Sequence, residues 1–378
     1  MNNYIDLASP GVKGLKPYQP GKPIDELQRE LGINEVVKLA SNENPLGPSP
    51  RAMEAIQNQL IETARYPDGN GFVLKSALAD HLGVTKAQIT LGNGSNDVLE
   101  LIARAFAGSN DEIIFSQYAF AIYPIVTQAI NAKAVKVPAK NWGHDLDAMS
   151  VAVNGATKVI FIANPNNPTG TWLTEKQLLG FLQKVPRKVL VVMDEAYFEY
   201  ASDARMGVAD YPNAIKLLPR FPNLIVTRTF SKAYGLAGLR VGYSVSHEDI
   251  ADLLNRVRQP FNVNHLGMVA AAAALDDGEY LQRSLQMNCE GLKQLQDGFN
   301  ALGLEYIPSC GNFLSVEVGE KDGDSAANIY EALLREGVIV RPVANYNMPN
   351  HLRVSVGLAS ENERFLKALT KAMTACSA

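Results

Sequence analysis

Cysteine is scarce in this sequence, and its pattern does not predict a disulfide framework. The chain has 378 residues and only 3 cysteines, at Cys289, Cys310 and Cys376. An odd number of widely spaced cysteines is typical of reduced thiols in a cytoplasmic protein. The 5 histidines are scattered and match no metal-binding spacing such as H-E-x-x-H, so we expect no metal site.

An excess of positive charge and long apolar runs are also lacking. The chain carries 35 basic and 39 acidic residues, a net charge of −4. A nucleic-acid-binding protein would need a basic face, so we expect no nucleic-acid partner. The apolar runs, such as 189–193, are too short to cross a membrane, and residues 1–19 contain no signal-peptide core. We therefore expect a cytoplasmic protein that does not enter a membrane.

Most of the chain alternates between short β-rich runs and helical stretches. The strands are predicted at 88–91, 112–116, 134–138, 159–163, 189–193, 223–227 and 241–245. Strands that alternate with helices indicate an α/β fold with a mainly parallel, covered sheet. Ser49 followed by Pro50 predicts a helix start, and Thr174 with Gln177 predicts a capping box.

The two ends of the chain follow a different pattern. The first fifty residues are rich in proline and glycine and predict an extended arm. Helical stretches are predicted from 248 to about 300, followed by strands at 312–318, 338–341 and 351–356 and helices at 326–336 and 361–373. We therefore expect a large domain at 46–265, and a small α+β domain formed by 266–378 together with the arm, 1–45.

Polar clusters follow several of the predicted strands, where open α/β sheets bind ligands. The segment 91–97, LGNGSND, leads into a helix whose free N–H groups suit a phosphate. Taken alone it is better explained by a plain βα turn, and it lacks the third glycine of a dinucleotide motif. The segment 164–170, NPNNPTG, predicts a rigid loop that aims amide side chains, although Asn-Pro pairs also form ordinary turns.

Two further clusters contain ionisable residues. Asp194 and Tyr197 lie at the end of the apolar run 189–193, where a lone acidic residue is often unremarkable. Thr229, Ser231 and Lys232 follow the strand 223–227. An isolated lysine is usually a solvated surface group. Here, however, the lysine stands beside two hydroxyl groups and eight residues before Arg240.

These clusters together match the requirements of pyridoxal phosphate (PLP). This cofactor needs a lysine amine, an acidic partner for its pyridine nitrogen and a donor to its phenolic oxygen. Its phosphate needs hydroxyls, a cation and helix N–H groups. The residues that could supply these groups are Lys232, Asp194, Tyr197, Thr229, Ser231, Arg240 and the turn at 94–96.

The same residues carry a resemblance to a known family. The order NPTG, D-x-x-Y and S-K, with an arginine eight residues later, resembles the fold-type I PLP-dependent aminotransferases. In detail the chain is similar to their histidinol-phosphate aminotransferase group, through the motifs SNENPLGP, RYPDG, GNGSND, NPNNPTG, DEAYFEY, TFSKAYGLAGLRVGY and LRVSVG. The resemblance implies transamination of L-histidinol phosphate with 2-oxoglutarate, giving imidazole-acetol phosphate and glutamate in histidine synthesis.

The resemblance also implies roles for single residues around the cofactor ring. Lys232 would bind the cofactor as a Schiff base and move protons, and Asp194 would pair with the pyridinium nitrogen. Tyr197 and Asn167 would hydrogen-bond the phenolic oxygen, and Phe120 would stack on the ring.

Further implied roles concern the phosphate groups and the substrate. The cofactor phosphate would be bound by Ser95, Asn96, Thr229, Ser231 and Arg240, joined by Tyr66 of the neighbouring subunit in a homodimer with shared active sites. Arg353 would bind the substrate α-carboxylate, and Arg341 and Tyr18 would bind the substrate phosphate. Which anion each arginine meets in each half-reaction stays open.

Some positions depart from the family pattern, and other activities stay possible at this point. Phe120 stands where tyrosine is frequent, and Asn345 and Asn347 stand where glycines are common, which leaves the shape of that loop open. The alternatives are an aromatic amino-acid aminotransferase, a PLP-dependent decarboxylase of a phosphorylated amino acid, and a ligand-binding protein without activity. The intact set of Lys232, Asp194 and Tyr197 argues against the last of these.

Overall fold

The computed structural model describes residues 4–319 and 324–376. The strands are β1 Val37–Lys38, β2 Ile89–Asn93, β3 Glu112–Ser116, β4 Lys133–Val137, β5 Thr157–Ala163, β6 Leu190–Asp194, β7 Leu224–Thr229, β8 Val241–Val245, β9 Tyr306–Ile307, β10 Phe313–Glu317, β11 Val338–Ile339, β12 Arg341–Pro342 and β13 His351–Ser355.

Helices surround these strands. They are α1 Pro10–Lys13, α2 Ile24–Leu31, α3 Pro50–Gln59, α4 Phe72–Leu82, α5 Ser95–Phe106, α6 Ile122–Ala129, α7 Leu146–Ala152, α8 Glu175–Lys184, α9 Phe198–Ala201, α10 Glu248–Val257, α11 His265–Leu275, α12 Gly278–Ala301, α13 Asp324–Arg335 and α14 Ala359–Cys376.

A seven-stranded sheet organises the larger part of the molecule. Its strand order is β2-β8-β7-β6-β5-β3-β4. All neighbouring strands from β7 to β4 pair in parallel, whereas β8 is antiparallel to both β2 and β7. Helices cover both faces, so strands such as β5 and β6 are apolar and buried along most of their length. The predicted α/β fold with a mainly parallel sheet is confirmed.

The local signals in this part of the sequence were reliable. All seven predicted strands are present, with ends that differ by one or two residues at most. The Ser49 hydroxyl accepts a hydrogen bond from the backbone N–H of Ala52 at 3.1 Å and caps α3. Thr174 and Gln177 form the predicted capping box at the start of α8.

A second hydrophobic core lies around a smaller antiparallel sheet, ordered β12-β13-β10-β9. Helices α12, α13 and α14 contribute to this core, together with Val37 and Leu39 from the N-terminal region. Strand β1 reaches it by pairing in parallel with β11. The N-terminal segment therefore packs against the C-terminal elements of the chain.

The prediction of an extended N-terminal arm was wrong in one respect, because the arm contains helix α2. Leu27 on this helix is completely buried against Ala40 and Ile339, while its charged residues face outward. Gly32 ends the helix in the left-handed conformation, with φ of 67°. This amphipathic helix of eight residues was not predicted because the sequence on either side of it is rich in proline and glycine.

The strand predicted at 338–341 was also wrong, since it divides into two strands in different sheets. Strand β11 pairs with β1, whereas β12 pairs with β13. The helical stretch predicted from 248 to about 300 consists of the three helices α10, α11 and α12, and the last two begin at the side-chain caps Asn264 and Asp277.

Within residues 4–319 and 324–376, no helix combines the length and apolar character that crossing a membrane requires.

The capping box of α8 gives a prediction about stability. Replacing Thr174 by alanine removes the oxygen that accepts from the backbone N–H of Gln177 at 3.2 Å. We expect a loss of about 0.5–2 kcal/mol in the free energy of unfolding, measured by urea denaturation. Thr174→Ser keeps the oxygen and is the control; equal midpoints for the two variants would contradict a capping role.

Candidate active site

A cavity opens at the carboxyl ends of β5, β6 and β7, beside the start of α5. It is lined by Tyr18, Gly21, Ala40, Ser41, Asn42, Ser95, Asn96, Phe120, Ala163, Pro165, Asn167, Asp194, Ala196, Tyr197, Thr229, Ser231, Lys232, Arg240, Arg341 and Arg353. All site residues predicted from the sequence are among them except Tyr66. Tyr66 is 83% exposed and stacks on Phe261 with ring centroids 4.8 Å apart.

Lys232 brings its amine into this cavity from the turn after β7. Its Nζ donates a hydrogen bond to the backbone carbonyl of Ser41 at 3.1 Å. Desolvation, with help from the nearby charge of Arg353, lowers the pKa of Lys232 to about 8. A lysine with this pKa has a substantial neutral fraction near neutral pH, so it can act as a nucleophile and as a base.

Asp194 ends β6 and points its carboxylate into the same cavity. Tyr123 donates from its hydroxyl to Oδ2 at 2.8 Å, and Thr227 donates to Oδ1 at 3.1 Å. Burial raises the pKa of Asp194, while these two donors and the charge of Lys232 lower it. A buried carboxylate held by two neutral donors is well suited to pair with a ligand cation.

Tyr197 is oriented by two amide side chains. Its hydroxyl oxygen accepts from Nδ2 of Asn42 at 2.9 Å and from Nδ2 of Asn167 at 3.1 Å. Burial raises the pKa of Tyr197 to about 12, so the phenol keeps its proton. Because the oxygen already accepts two hydrogen bonds, its own proton is available to a ligand oxygen in the cavity.

A cradle of hydrogen-bond donors lies at the start of α5. Gly94 precedes this helix with φ of 81°, and a Cβ there would lie 2.5 Å from Nη2 of Arg240. The hydroxyl of Thr229 donates to that of Ser231 at 3.0 Å, and Nη1 of Arg240 lies 3.4 Å from the Ser231 hydroxyl. Free helix N–H groups, two hydroxyls and a guanidinium are the groups that bind a phosphate.

Two arginines, Arg353 and Arg341, form another wall of the cavity. Arg353 donates from Nη1 to Oδ1 of Asn167 and from Nη2 to the carbonyl of Ala40, both at 2.6 Å, while its buried Nε has no partner. Arg341 is buried as well, with Nη2 bonded to the carbonyl of Gln19 at 2.6 Å. Its guanidinium lies 5.7 Å from the ring centre of Tyr18. This wall is suited to bind anionic groups of a substrate.

Several residues that hold the site together were not predicted from the sequence. These are Tyr123 and Thr227 on Asp194, Asn42 on Tyr197, and Ser41 at the lysine. Thr227 could have been found, because residues two apart on a strand share a face and Thr229 was already assigned. The contacts of Tyr123 and Asn42 span 71 and 155 residues and left no local signal.

The geometry fits pyridoxal phosphate. The cavity combines an amine, a buried carboxylate, a phenol that can donate and a phosphate cradle, and these are the groups that this cofactor requires. A side chain at position 94 would collide with the guanidinium of Arg240, so the glycine is needed for the two to lie side by side in the cradle. The arginine wall would then face the anionic groups of a substrate.

Comparisons with known proteins agree with this chemistry. The chain is 59% identical over 373 residues to histidinol-phosphate aminotransferase 2 of Pseudomonas fluorescens Pf-5, covering 98% of each chain, and 58% identical to that of Pseudomonas aeruginosa PAO1, covering 99% of each. A crystal structure of histidinol-phosphate aminotransferase from Sinorhizobium meliloti with pyridoxal-5'-phosphate has a TM-score of 0.89 at 30% identity, covering 97% of each chain. The family model for class I and II aminotransferases matches residues 34–369, so the chain belongs to the class I and II aminotransferases, which are pyridoxal-phosphate enzymes.

Proposed function

We propose that this protein transfers the amino group of L-histidinol phosphate to 2-oxoglutarate, giving imidazole-acetol phosphate and glutamate, as a cytoplasmic step of histidine synthesis. The observation that carries the proposal is the position of two buried arginines, Arg341 and Arg353, in the cavity that also contains Lys232 and Asp194. The relatives at 58–59% identity are named for this activity.

The proposed roles of the cofactor-facing residues follow from their contacts. Lys232 would hold the cofactor through Nζ, Asp194 would pair with its ring nitrogen, and the cradle at the start of α5 would bind its phosphate. Tyr197, with Asn167 behind it, would donate to the phenolic oxygen. Phe120, which lines the same cavity, would cover one face of the ring. When bound, pyridoxal phosphate supplies an electron sink for the α-carbon of the amino donor.

Proton transfer would rest on Lys232. Its pKa of about 8 would allow the amine to accept a proton from the substrate α-carbon and to donate it again on the other side of the transferred nitrogen. Asp194, which accepts hydrogen bonds from Tyr123 and Thr227, would stabilise positive charge at the ring nitrogen. Both groups lie in a cavity from which a bound substrate excludes water, and this strengthens their electrostatic interactions.

The two substrates place different anions in one pocket. Histidinol phosphate has a phosphate and no carboxylate, whereas glutamate has two carboxylates. We propose that Arg353 binds the α-carboxylate of glutamate, since its buried Nε lacks a partner. Arg341 and Tyr18 would bind the far anion, which is the phosphate of one substrate and the side-chain carboxylate of the other.

A panel of amino donors tests the function as a whole. Histidinol phosphate, phenylalanine, tyrosine and tryptophan are each supplied with 2-oxoglutarate, and glutamate is measured. We expect histidinol phosphate to be the best donor by far. If phenylalanine is a good donor and histidinol phosphate is not a substrate, the protein is an aromatic aminotransferase. Release of CO2 from a phosphorylated amino acid added to the panel, without formation of glutamate, would instead indicate a decarboxylase.

We further propose that the chain forms a homodimer with shared active sites. The surface around Tyr66 is apolar and exposed: Ile61 is 85% exposed, Phe72 59%, Val73 67% and Phe261 44%. Contiguous apolar surface of this kind is typical of a protein interface. Tyr66 lies outside the cavity of its own chain, so in a dimer it would be free to reach the cofactor phosphate of the neighbour.

We also propose a division into a large part, 46–265, and a small part, 1–45 with 266–378. Supporting it, the core of the smaller sheet draws on Val37 and Leu39 and on residues beyond 290. Helix α11 begins at residue 265 but packs in the core of the larger sheet, so the structural boundary would fall within α12.

The lowered pKa of Lys232 gives a prediction about pH. Since the pKa is about 8 instead of near 10.5, the neutral amine becomes available at lower pH than in an ordinary lysine. We expect the rate at which the apoprotein binds pyridoxal phosphate to rise with pH and level off above about 9. Stopped-flow visible absorption measures this rate, with Lys232→Ala as the control that gives no band. A rate that still rises steeply at about pH 10 would indicate an unshifted lysine.

The dimer proposal predicts complementation between inactive variants. Mixed Tyr66→Ala and Lys232→Ala subunits form heterodimers in which one site has both Lys232 and the neighbour's Tyr66. Random exchange in an equal mixture should then restore about a quarter of the parent activity, because half of the dimers are mixed and each has one complete site. If activity does not return although native mass spectrometry shows mixed dimers, Tyr66 does not act across the interface.

The role of Arg341 predicts a change in substrate preference. Removing a charge-assisted contact costs about 1.5–3 kcal/mol. Arg341→Ala should therefore raise KM for histidinol phosphate by about tenfold or more, while transamination of phenylalanine falls much less. Arg187→Ala, at an exposed arginine, is the matched control. An equal loss for both donors would mean that Arg341 does not recognise the phosphate.

A further inference from the structure

A buried ion pair lies directly behind the active-site residues. Glu195 follows Asp194, and Arg228 follows Thr227, so in the pleated sheet their side chains point away from the active-site cavity. Oε2 of Glu195 accepts from Nη2 of Arg228 at 2.7 Å and from its Nε at 3.0 Å. The two side chains are only 0% and 4% exposed.

The same guanidinium contacts a second point on the turn after β6. Its Cζ lies 3.4 Å from the ring centre of Phe198, and Nη2 also donates to Oδ1 of Asn213 at 3.0 Å. The other carboxylate oxygen of Glu195 accepts from the backbone N–H of Ala214 at 3.1 Å. Arg228 therefore holds the turn at Glu195 and at Phe198, the residues that directly follow Asp194 and Tyr197.

Fold stability alone does not account for this pair. Taking two charges out of water costs several kcal/mol for each ion, and well-packed apolar residues are often as stabilising as a buried ion pair. A bidentate, stacked guanidinium is, in contrast, an effective way to fix geometry. The part of the chain that it fixes contains a carboxylate and a phenol of the active site.

We propose that Arg228 is a positioning residue, which holds Glu195 and Phe198 and thereby sets the places of Asp194 and Tyr197 in the active site. The inference rests on the roles proposed above for those two residues. Arg228 touches neither of them and lines a separate cavity behind the sheet, with Phe198 and Glu199. It acts through the backbone of 194–198, where a shift of about 1 Å can cost a hundredfold in rate.

A double variant separates positioning from folding. Glu195→Gln with Arg228→Met removes both charges, keeps an acceptor for the Ala214 N–H and places a flexible apolar chain on Phe198. We expect the apoprotein to melt near the parent temperature. The dissociation constant for pyridoxal phosphate and kcat should each worsen by about tenfold, with KM for 2-oxoglutarate unchanged within about twofold. The pH midpoint of the bound cofactor's visible absorption should also shift.

A second variant keeps the test decisive if the double variant does not fold. Arg228→Lys keeps the ion pair but loses the planar contact in which two guanidinium N–H groups donate to Oε2 of Glu195, and it loses the stacking on Phe198. It should fold and show the same changes in cofactor affinity, absorption midpoint and kcat. A folded variant with parent values for all three would overturn the proposal. Lys184→Met, which breaks the exposed pair with Asp147 at 2.7 Å, is the matched control.

Asp194→Asn, measured alongside, tests the roles on which the inference rests. If this variant keeps the parent absorption midpoint and kcat, the proposed role of Asp194 fails. If it is impaired while both Arg228 variants are normal, only the positioning role fails. If all are impaired in the same direction, Arg228 acts through Asp194 as proposed.

Discussion

Parallel pairing among β5, β6 and β7 is the constraint on which the site depends. The register aligns Ala163 with Asp194, and Asp194 with Thr227, so β5 and β6 end at the same level and β7 ends two residues further on. The loop after β5, the turn after β6 and the lysine turn after β7 must therefore converge. Residues far apart in sequence become neighbours without any direct attraction between them.

Electrostatic balance is the second feature that shapes the cavity. Lys232, Arg240, Arg341 and Arg353 all line it, whereas Asp194 is the carboxylate among its lining residues in the described chain. Buried charge of one sign is costly unless a partner arrives. The backbone carbonyls of Ser41, Ala40 and Gln19 accept hydrogen bonds from three of these cationic groups and so offset part of the cost. The positive charge that has no anionic partner favours ligands with several anionic groups, such as a phosphorylated cofactor and a dianionic substrate.

The sequence predicted best what local chemistry determines. Alternating β-rich and helical segments gave the larger sheet, and the caps at Ser49 and Thr174 were read directly from residue types. The polar clusters at strand ends gave the groups that face the cavity, because the carboxyl edge of a parallel sheet is where ligands bind. These inferences needed only neighbouring residues.

What could not be predicted depends on tertiary contacts. The Tyr123 hydroxyl meets Asp194 only in the folded chain, where α6 packs against α5 and β4, and Asn42 reaches Tyr197 from the N-terminal segment. Helix α2 was missed because its single buried residue, Leu27, finds its apolar partners in distant segments. The split between β11 and β12 likewise follows from which partner strands are available on each side.

The pleat of β7 explains why even a correctly predicted strand leaves its polar residues ambiguous. Thr227, Arg228 and Thr229 are consecutive and all buried, although three polar residues in a row would usually indicate an exposed segment. Alternation sends Thr227 and Thr229 toward Asp194 and the phosphate cradle, and sends Arg228 to Glu195 on the other side. Such a segment can stay buried only if both faces supply polar partners. A polar run at the end of an apolar strand is therefore evidence for organised chemistry on two faces, one that binds the ligand and one that supports it.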